Sequence, residues 1–219
     1  MVDIPRNREN ENKFTAYLDY YLEFPSYLGS YKRSFDILVE NVLDKNFHID
    51  HIAYPILFLA RHCMELGFKA NIRYFSKYSG KNDYVKAQTH DLEKLFQAFK
   101  MHVNDTFLNL KNNHGIVVEK DDKRSFKELC DEVDKLNNIF HQLDEASDAF
   151  RYPVDNKDKP SFEKGQRINV IDVNELLERS MLLFNHTADV FAKYTNYADE
   201  LNSYYEDLMR ETYEQNSPY

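Results

Sequence analysis

Apolar residues along this chain fall into stripes at three- and four-residue spacing, the period of an amphipathic helix. The densest stripe spans residues 54–75, YPILFLARHCMELGFKANIRYF. Ile56, Leu59, Ala60, Cys63, Gly67 and Ala70 line one face, and Leu57, Met64, Phe68 and Phe75 widen it. A helix apolar most of the way round belongs inside a bundle, not on its surface. Weaker stripes predict a helix over 11–23 (Phe14, Tyr17, Leu18, Tyr21) and another over 27–46 (Leu28, Tyr31, Phe35, Leu38, Val42). A further one opens at Thr89 or Asp91 and carries Leu92, Leu95, Phe96 and Phe99. From Ser125 the stripe is Phe126, Leu129, Val133, Leu136, Phe140 and Leu143. The last is the longest, residues 172–212, with Leu177, Met181, Phe184, Ala188, Phe191, Ala198 and Tyr205 on one side.

Breakers set the expected boundaries. Phe24-Pro25-Ser26 interrupts the first two stripes, because the residue before proline avoids the helical region, and Ser26 suits an N-cap. Pro55 falls in the first turn of the central helix, where proline is tolerated. Ser79-Gly80 reads as its stop. Asp172 and Glu175 have the spacing of a capping box. Residues 109–124 read as a loop with a short extended piece at 116–118. Residues 144–171, with two prolines and a glycine, read as an irregular structured loop with a short strand pair. The expected fold is therefore all-α: one helical bundle over 11–213 with a long C-terminal helix, between flexible ends at 1–10 and 214–219.

Composition narrows the function classes. Only 5 glycines and 6 prolines in 219 residues favour long helices. A net charge of −9 opposes nucleic-acid binding through the overall field, so any RNA contact needs a local basic patch. The two cysteines, Cys63 and Cys130, are too few for a Cys-rich zinc site and read as small core residues. No apolar run reaches the length of a membrane span, and the first residues lack the apolar core of a secretory signal. Those features point to a cytoplasmic protein without a membrane partner. No metal-ligand motif, phosphate loop or nucleophile elbow is present, so neither metal nor cofactor is expected; His48, Asp50 and His51 are close in sequence but match no ligand pattern.

The central helix carries one polar line, Arg61, Glu65, Lys69 and Arg73, each four residues from the next. Such residues stack on one helix face. On a mostly buried helix their charges must be paired. The expectation is an internal network that faces the 144–153 loop, where Asp144, Ser147 and Arg151 need partners. The network is read as structural first and ligand-binding after that.

The string RHCMELGFKA, then THDLEKL, then a helix leading into DEASDAFRYPVD, resembles the HEPN-like superfamily, bacterial proteins of toxin–antitoxin and phage-defence type. The resemblance covers about residues 50–155 and rests on Arg61, Glu65, Lys69, His90, Asp91, Leu92, Leu95 and the Phe150-Arg151-Tyr152-Pro153 string. It implies an all-α bundle, frequent homodimerisation, and partnership with an antitoxin or other defence protein. Active members share an R-x4-6-H motif and cleave RNA without metal. In that chemistry histidine acts as acid or base and arginine stabilises phosphorane charge. Here the match is Arg179 to His186, R-x6-H, on the last helix. Leu182, Leu183 and Val190 near the pair would suit a dimer seam. Ten arginines and eight histidines make about one such spacing expected by chance. The resemblance thus implies a metal-independent endoribonuclease with Arg179 and His186 as catalytic residues and RNA as substrate. The alternative is a non-catalytic module that binds a protein partner or nucleotide through Arg61, Glu65, Lys69 and Arg151.

Overall fold

The computed structural model describes residues 4–18, 22–45, 48–82, 89–145, 150–154 and 157–216. Among these it is all-α. The helices are α1 (Arg8–Phe14), α2 (Phe24–Lys45), α3 (Ala53–Ser79), α4 (Leu92–His114), α5 (Lys120–Asp134), α6 (Asn137–Glu145) and α7 (Val170–Asn216), with a single 3-10 turn at Ile49–His51. Helix α3 is the axis of the bundle: α4, α2 and α7 all pack on it, and α5 lies along α7. No helix among the described residues is long and apolar enough to cross a membrane.

The aromatic residues build the core in two clusters. Phe68 of α3 meets Phe96 and Phe99 of α4, Phe140 of α6 and Phe184 of α7, with ring centroids 4.8–6.4 Å apart. About two turns further along α7, Phe191 meets Phe75, Phe107 and Phe126. Edge and tilted contacts of this kind add to area burial. Helices α3 and α7 approach each other closely at Gly67. A Cβ placed there would stand 2.2 Å from the Phe184 ring. Glycine at this point is what lets the ring lie on the α3 backbone.

Several boundaries depart from the sequence expectation. The first helix is short, Arg8–Phe14, and buries nothing; Phe14, Tyr17 and Leu18 are exposed, and Tyr21 lies outside the described residues. Asn7 caps it, its side chain accepting from the Asn10 N–H. Helix α2 begins at Phe24, with Pro25 absorbed in its first turn, so Ser26 is inside the helix and not its cap. The expected loop over 109–124 is mostly helix. Helix α4 runs to His114, because Thr106, Phe107 and Leu110 extend its buried face. It ends where Gly115 turns left-handed (φ 67°) and its N–H reaches back to the Leu110 and Lys111 carbonyls. Only residues 115–119 connect it to α5, extended enough that Ile116 and Val118 point inward and Val117 outward. The stripe from Ser125 is broken into α5 and α6 at Lys135–Leu136. Helix α7 starts at Val170, two residues before Asp172; Asn169 takes the capping position, its side-chain oxygen accepting from the Ile171 N–H. Among the described residues of the 144–171 segment, the strand pair reduces to a single bridge, Val154 to Pro160. Of the expected flexible ends, residues 1–3 and 217–219 lie outside the described residues, while α1 and α7 occupy part of each.

Both cysteines are buried, and burial pushes each thiol up to about 12. Native protein is therefore expected to react with a thiol-specific chromogenic disulfide only on unfolding, both thiols appearing together in denaturant. The Gly67 contact gives a further expectation. Gly67→Ala should cost about 1–3 kcal/mol in urea unfolding, since Phe184 has packed neighbours on every side. Gly29→Ala on α2, where a Cβ meets nothing within 4 Å, should be neutral or stabilising by about 0.5–1 kcal/mol.

Candidate functional site

The polar line of α3 is assembled around Glu65, whose residue is only 3% exposed. Helical spacing brings Arg61 and Lys69 onto it from one turn either side. Arg61 Nη1 stands 3.2 Å from Oε2, and Lys69 Nζ donates to Oε1 at 2.7 Å. The third partner comes from another element: His90 Nδ1 lies 2.8 Å from Oε1. Arg61 then donates through Nη2 to the His90 carbonyl. The next residue, Asp91, caps α4 by accepting the Lys94 N–H at 2.9 Å. One carboxylate thus fastens the start of α4 to the middle of α3.

Burial pushes the Glu65 carboxyl upward, but hydrogen bonds from Lys69 and His90 outweigh it and hold the group below the usual glutamate range. The His90 side chain remains 70% exposed, so with Nδ1 engaged its other nitrogen is open to an incoming group. Arg61 and Lys69 against Glu65 leave an excess of one positive charge, two when His90 is protonated. That is a local cationic site on an acidic chain.

Arg151 lies beside this cluster by way of aromatic rings. Its guanidinium is 5.9 Å from the Phe58 ring centroid and 5.9 Å from that of Tyr152. Phe58 stacks on His62 at 5.5 Å, and Tyr31 closes edge-on against His62 at 4.5 Å. Burial lowers the His62 pKa, which keeps the ring neutral in this stack. Ser147 and the Asp144 side chain lie outside the described residues. Arg73, the end of the polar line, is exposed.

Arg179 and His186 lie elsewhere, along the side of α7 that meets α5. They are two turns apart, about 10.5 Å along the axis. The Arg179 guanidinium is held by Glu132 of α5 at 3.4 Å and by Glu175 at 3.6 Å. His186 has its Nδ1 buried with no hydrogen-bond partner among the described residues, and Asp122 of α5 is near it. Asp122 is in turn bonded by Tyr194 at 2.6 Å and Lys193 at 3.0 Å. Leu183, expected beside this pair as part of a dimer seam, is fully buried in the core. Two carboxylates therefore contact Arg179, and one of them, Glu132, also takes Lys135.

His90 is the participant that sequence reasoning placed only as a helix opener. The hint was the THDL string itself: a histidine directly before an Asp cap is held where the helix starts. Its pairing with a residue 25 positions earlier has no local signal. His48 and Asp50 make an exposed contact at 3.3 Å, and no group of three or more His, Cys, Asp or Glu side chains is placed to hold a metal among the described residues.

The Glu65 network predicts an acid-sensitive fold. A carboxyl whose folded pKa is depressed contributes stability above its unfolded value, about 4.5, and loses it as pH falls through the folded value. Glu65→Gln should lower urea stability by about 3–5 kcal/mol at pH 7, the cost of breaking a buried pair. It should also flatten the loss of stability as pH falls from about 5 through the depressed folded value, below 4.5. An unchanged acid limb would show that other carboxylates set it.

A scan against models of protein families finds no match to this chain, and no curated protein or solved structure matches it significantly.

Proposed function

We propose that this chain is a HEPN-like module that works by binding, and that its ligand-binding place is the Arg61–Glu65–Lys69–His90 cluster with Arg151 beside it. The ligand class is a nucleotide or other small phosphate-bearing molecule. One observation carries the reading: three cationic or protonatable side chains converge on a single buried carboxylate and leave His90 open to solvent. Lysine, arginine and imidazolium donors give charge-assisted hydrogen bonds to phosphate. Tyr152, exposed next to Arg151, offers aromatic surface for a base. In this reading the protein belongs to a bacterial toxin–antitoxin or phage-defence locus, in the cytoplasm, with a second copy or a defence protein as partner.

Titration calorimetry with ATP, GTP and AMP tests it. Binding of at least one is expected, and Lys69→Ala should weaken it about tenfold, the loss of one charge-assisted contact. Absence of heat with all three nucleotides, or affinity unchanged in Lys69→Ala, would sink the reading.

Another reading, metal-independent RNA cleavage by Arg179 and His186, is favoured by the buried, unpartnered Nδ1 of His186. A purely structural histidine gains nothing from such an atom. Against it stands the neutralisation of Arg179 by two carboxylates. Total RNA incubated with the protein in EDTA should stay intact. Cleavage by wild type that is lost in His186→Ala would establish the nuclease instead.

A further inference from the structure

Two apolar surfaces of this chain are bare, and they lie at opposite ends of α2. The first is the arm that precedes α2. Helix α1 buries no residue. Phe14, Leu18 and Leu22 follow one another at four-residue intervals and are 61%, 84% and 72% exposed. Apolar side chains scattered singly over a surface are ordinary, but three at one regular spacing make a stripe. The second surface is a groove of about 490 Å³ where the end of α2 meets the start of α7. Val39, Val42 and Leu43 of α2, Ile49 of the 3-10 turn, and Val170 and Ile171 line it. Val39, Ile49 and Val170 pack against the core, so the bundle fixes the groove floor. Leu43 and Ile171 are 77% and 76% exposed at its mouth. Among the described residues Asp50 is its one charged wall. A cleft of this volume is in the range that takes a ligand, and its walls suit aliphatic and phenyl groups.

Covalent reach decides whose arm fills it. The groove begins at Val39, fifteen residues along α2 from Phe24, a distance of about 22 Å. Leu18 is six residues before Phe24, and Leu22 is two. Fully extended, those spans reach about 21 Å and about 7 Å. An arm folded back along its own α2 therefore brings Phe14 to the groove but leaves Leu18 short of it and Leu22 far away. The arm of a second copy has no such tether, so all three side chains can enter together. Every copy owns one arm and one groove, and a two-fold exchange covers both on both copies. We propose that the protein dimerises by exchanging arms: Phe14, Leu18 and Leu22 of each copy dock in the α2–α7 groove of the other. This contact is independent of the Glu65 cluster.

The test uses the whole 219-residue chain, with mass measured by light scattering after gel filtration over a series of concentrations. Wild type should be a dimer. Leu18→Glu spoils the arm and Ile171→Glu spoils the groove. Each should be monomeric with unchanged circular dichroism, because both side chains lie outside the core. An equal mixture of the two variants should dimerise again, since the intact arm of one fits the intact groove of the other. That mixed dimer keeps one contact of two, so it should dissociate at a higher concentration than wild type. A monomeric wild type overturns the proposal. So does a dimer that survives either substitution, which would mean that arms pair with arms or that another face is used. A mixture that stays monomeric overturns it as well. A second measurement tests the exchange itself. Cys63 and Cys130 are buried, so a Leu18→Cys, Leu43→Cys double variant carries its reactive thiols at the arm and the groove. A bifunctional maleimide should join separate chains; a product closed within one chain would show the arm on its own groove and sink the exchange.

Discussion

Helix α3 is enclosed by α2, α4 and α7, so a charge on its inner faces needs a partner inside the protein. That constraint organises the rest. Glu65 cannot reach bulk water, and its ionised form would be untenable alone. Arg61 and Lys69 arrive by helical spacing, but two partners on the same helix do not fix any other element. The third partner, His90, does: it ties the carboxylate to the start of α4, while the Arg61 guanidinium takes the His90 carbonyl. The buried charge thereby becomes a positional device. It sets where α4 begins relative to α3, and the Phe68 cluster then packs in that register. Whether a ligand also uses the cluster is a separate matter, because holding helices and presenting His90 to solvent are compatible.

The apolar period made the helical architecture readable, and the polar line on α3 made part of the network readable. Arg61, Glu65 and Lys69 share a helix, so their meeting follows from a four-residue spacing. His90 and Gly67 were not readable in their roles. The histidine depends on tertiary placement across 25 residues. The glycine is one more small position in an apolar stripe until Phe184 stands against it. The errors in boundaries have a common cause. Residues 109–114 and 120–124 are polar enough to pass for loop, yet each extends a helix whose buried face is already secured by residues such as Leu110 and Phe126. Polar residues on the solvent side of a packed helix carry no breaking signal. Conversely, the stripe 14–21 had the right spacing, but α1 buries no residue against the bundle.

Seven-residue spacing explains why Arg179 and His186 are hard to interpret from sequence. A spacing of seven puts two side chains on one face, which suits a pair of catalytic groups and equally suits the flank of a heptad seam. In the structure that flank meets α5. Glu132 and Asp122 stand near the two ends of α5, Arg179 reaches the first and Lys193 the other, and His186 falls between. Ion pairs of this exposed kind contribute little each, so they follow from the packing of α5 on α7 more than they cause it. The guanidinium that a phosphorane would need is thereby committed to two carboxylates. For cleavage, Arg179 would have to exchange them for a phosphate, and α5 supplies the closer of the two contacts, at 3.4 Å. RNA approach would then have to compete with an intramolecular carboxylate on a chain of net charge −9. The Glu65 cluster faces the opposite balance, with cations in excess of its one carboxylate. Cations thus outnumber carboxylates in the cluster at the middle of α3, whereas Arg179 on the side of α7 is balanced by Glu132 and Glu175.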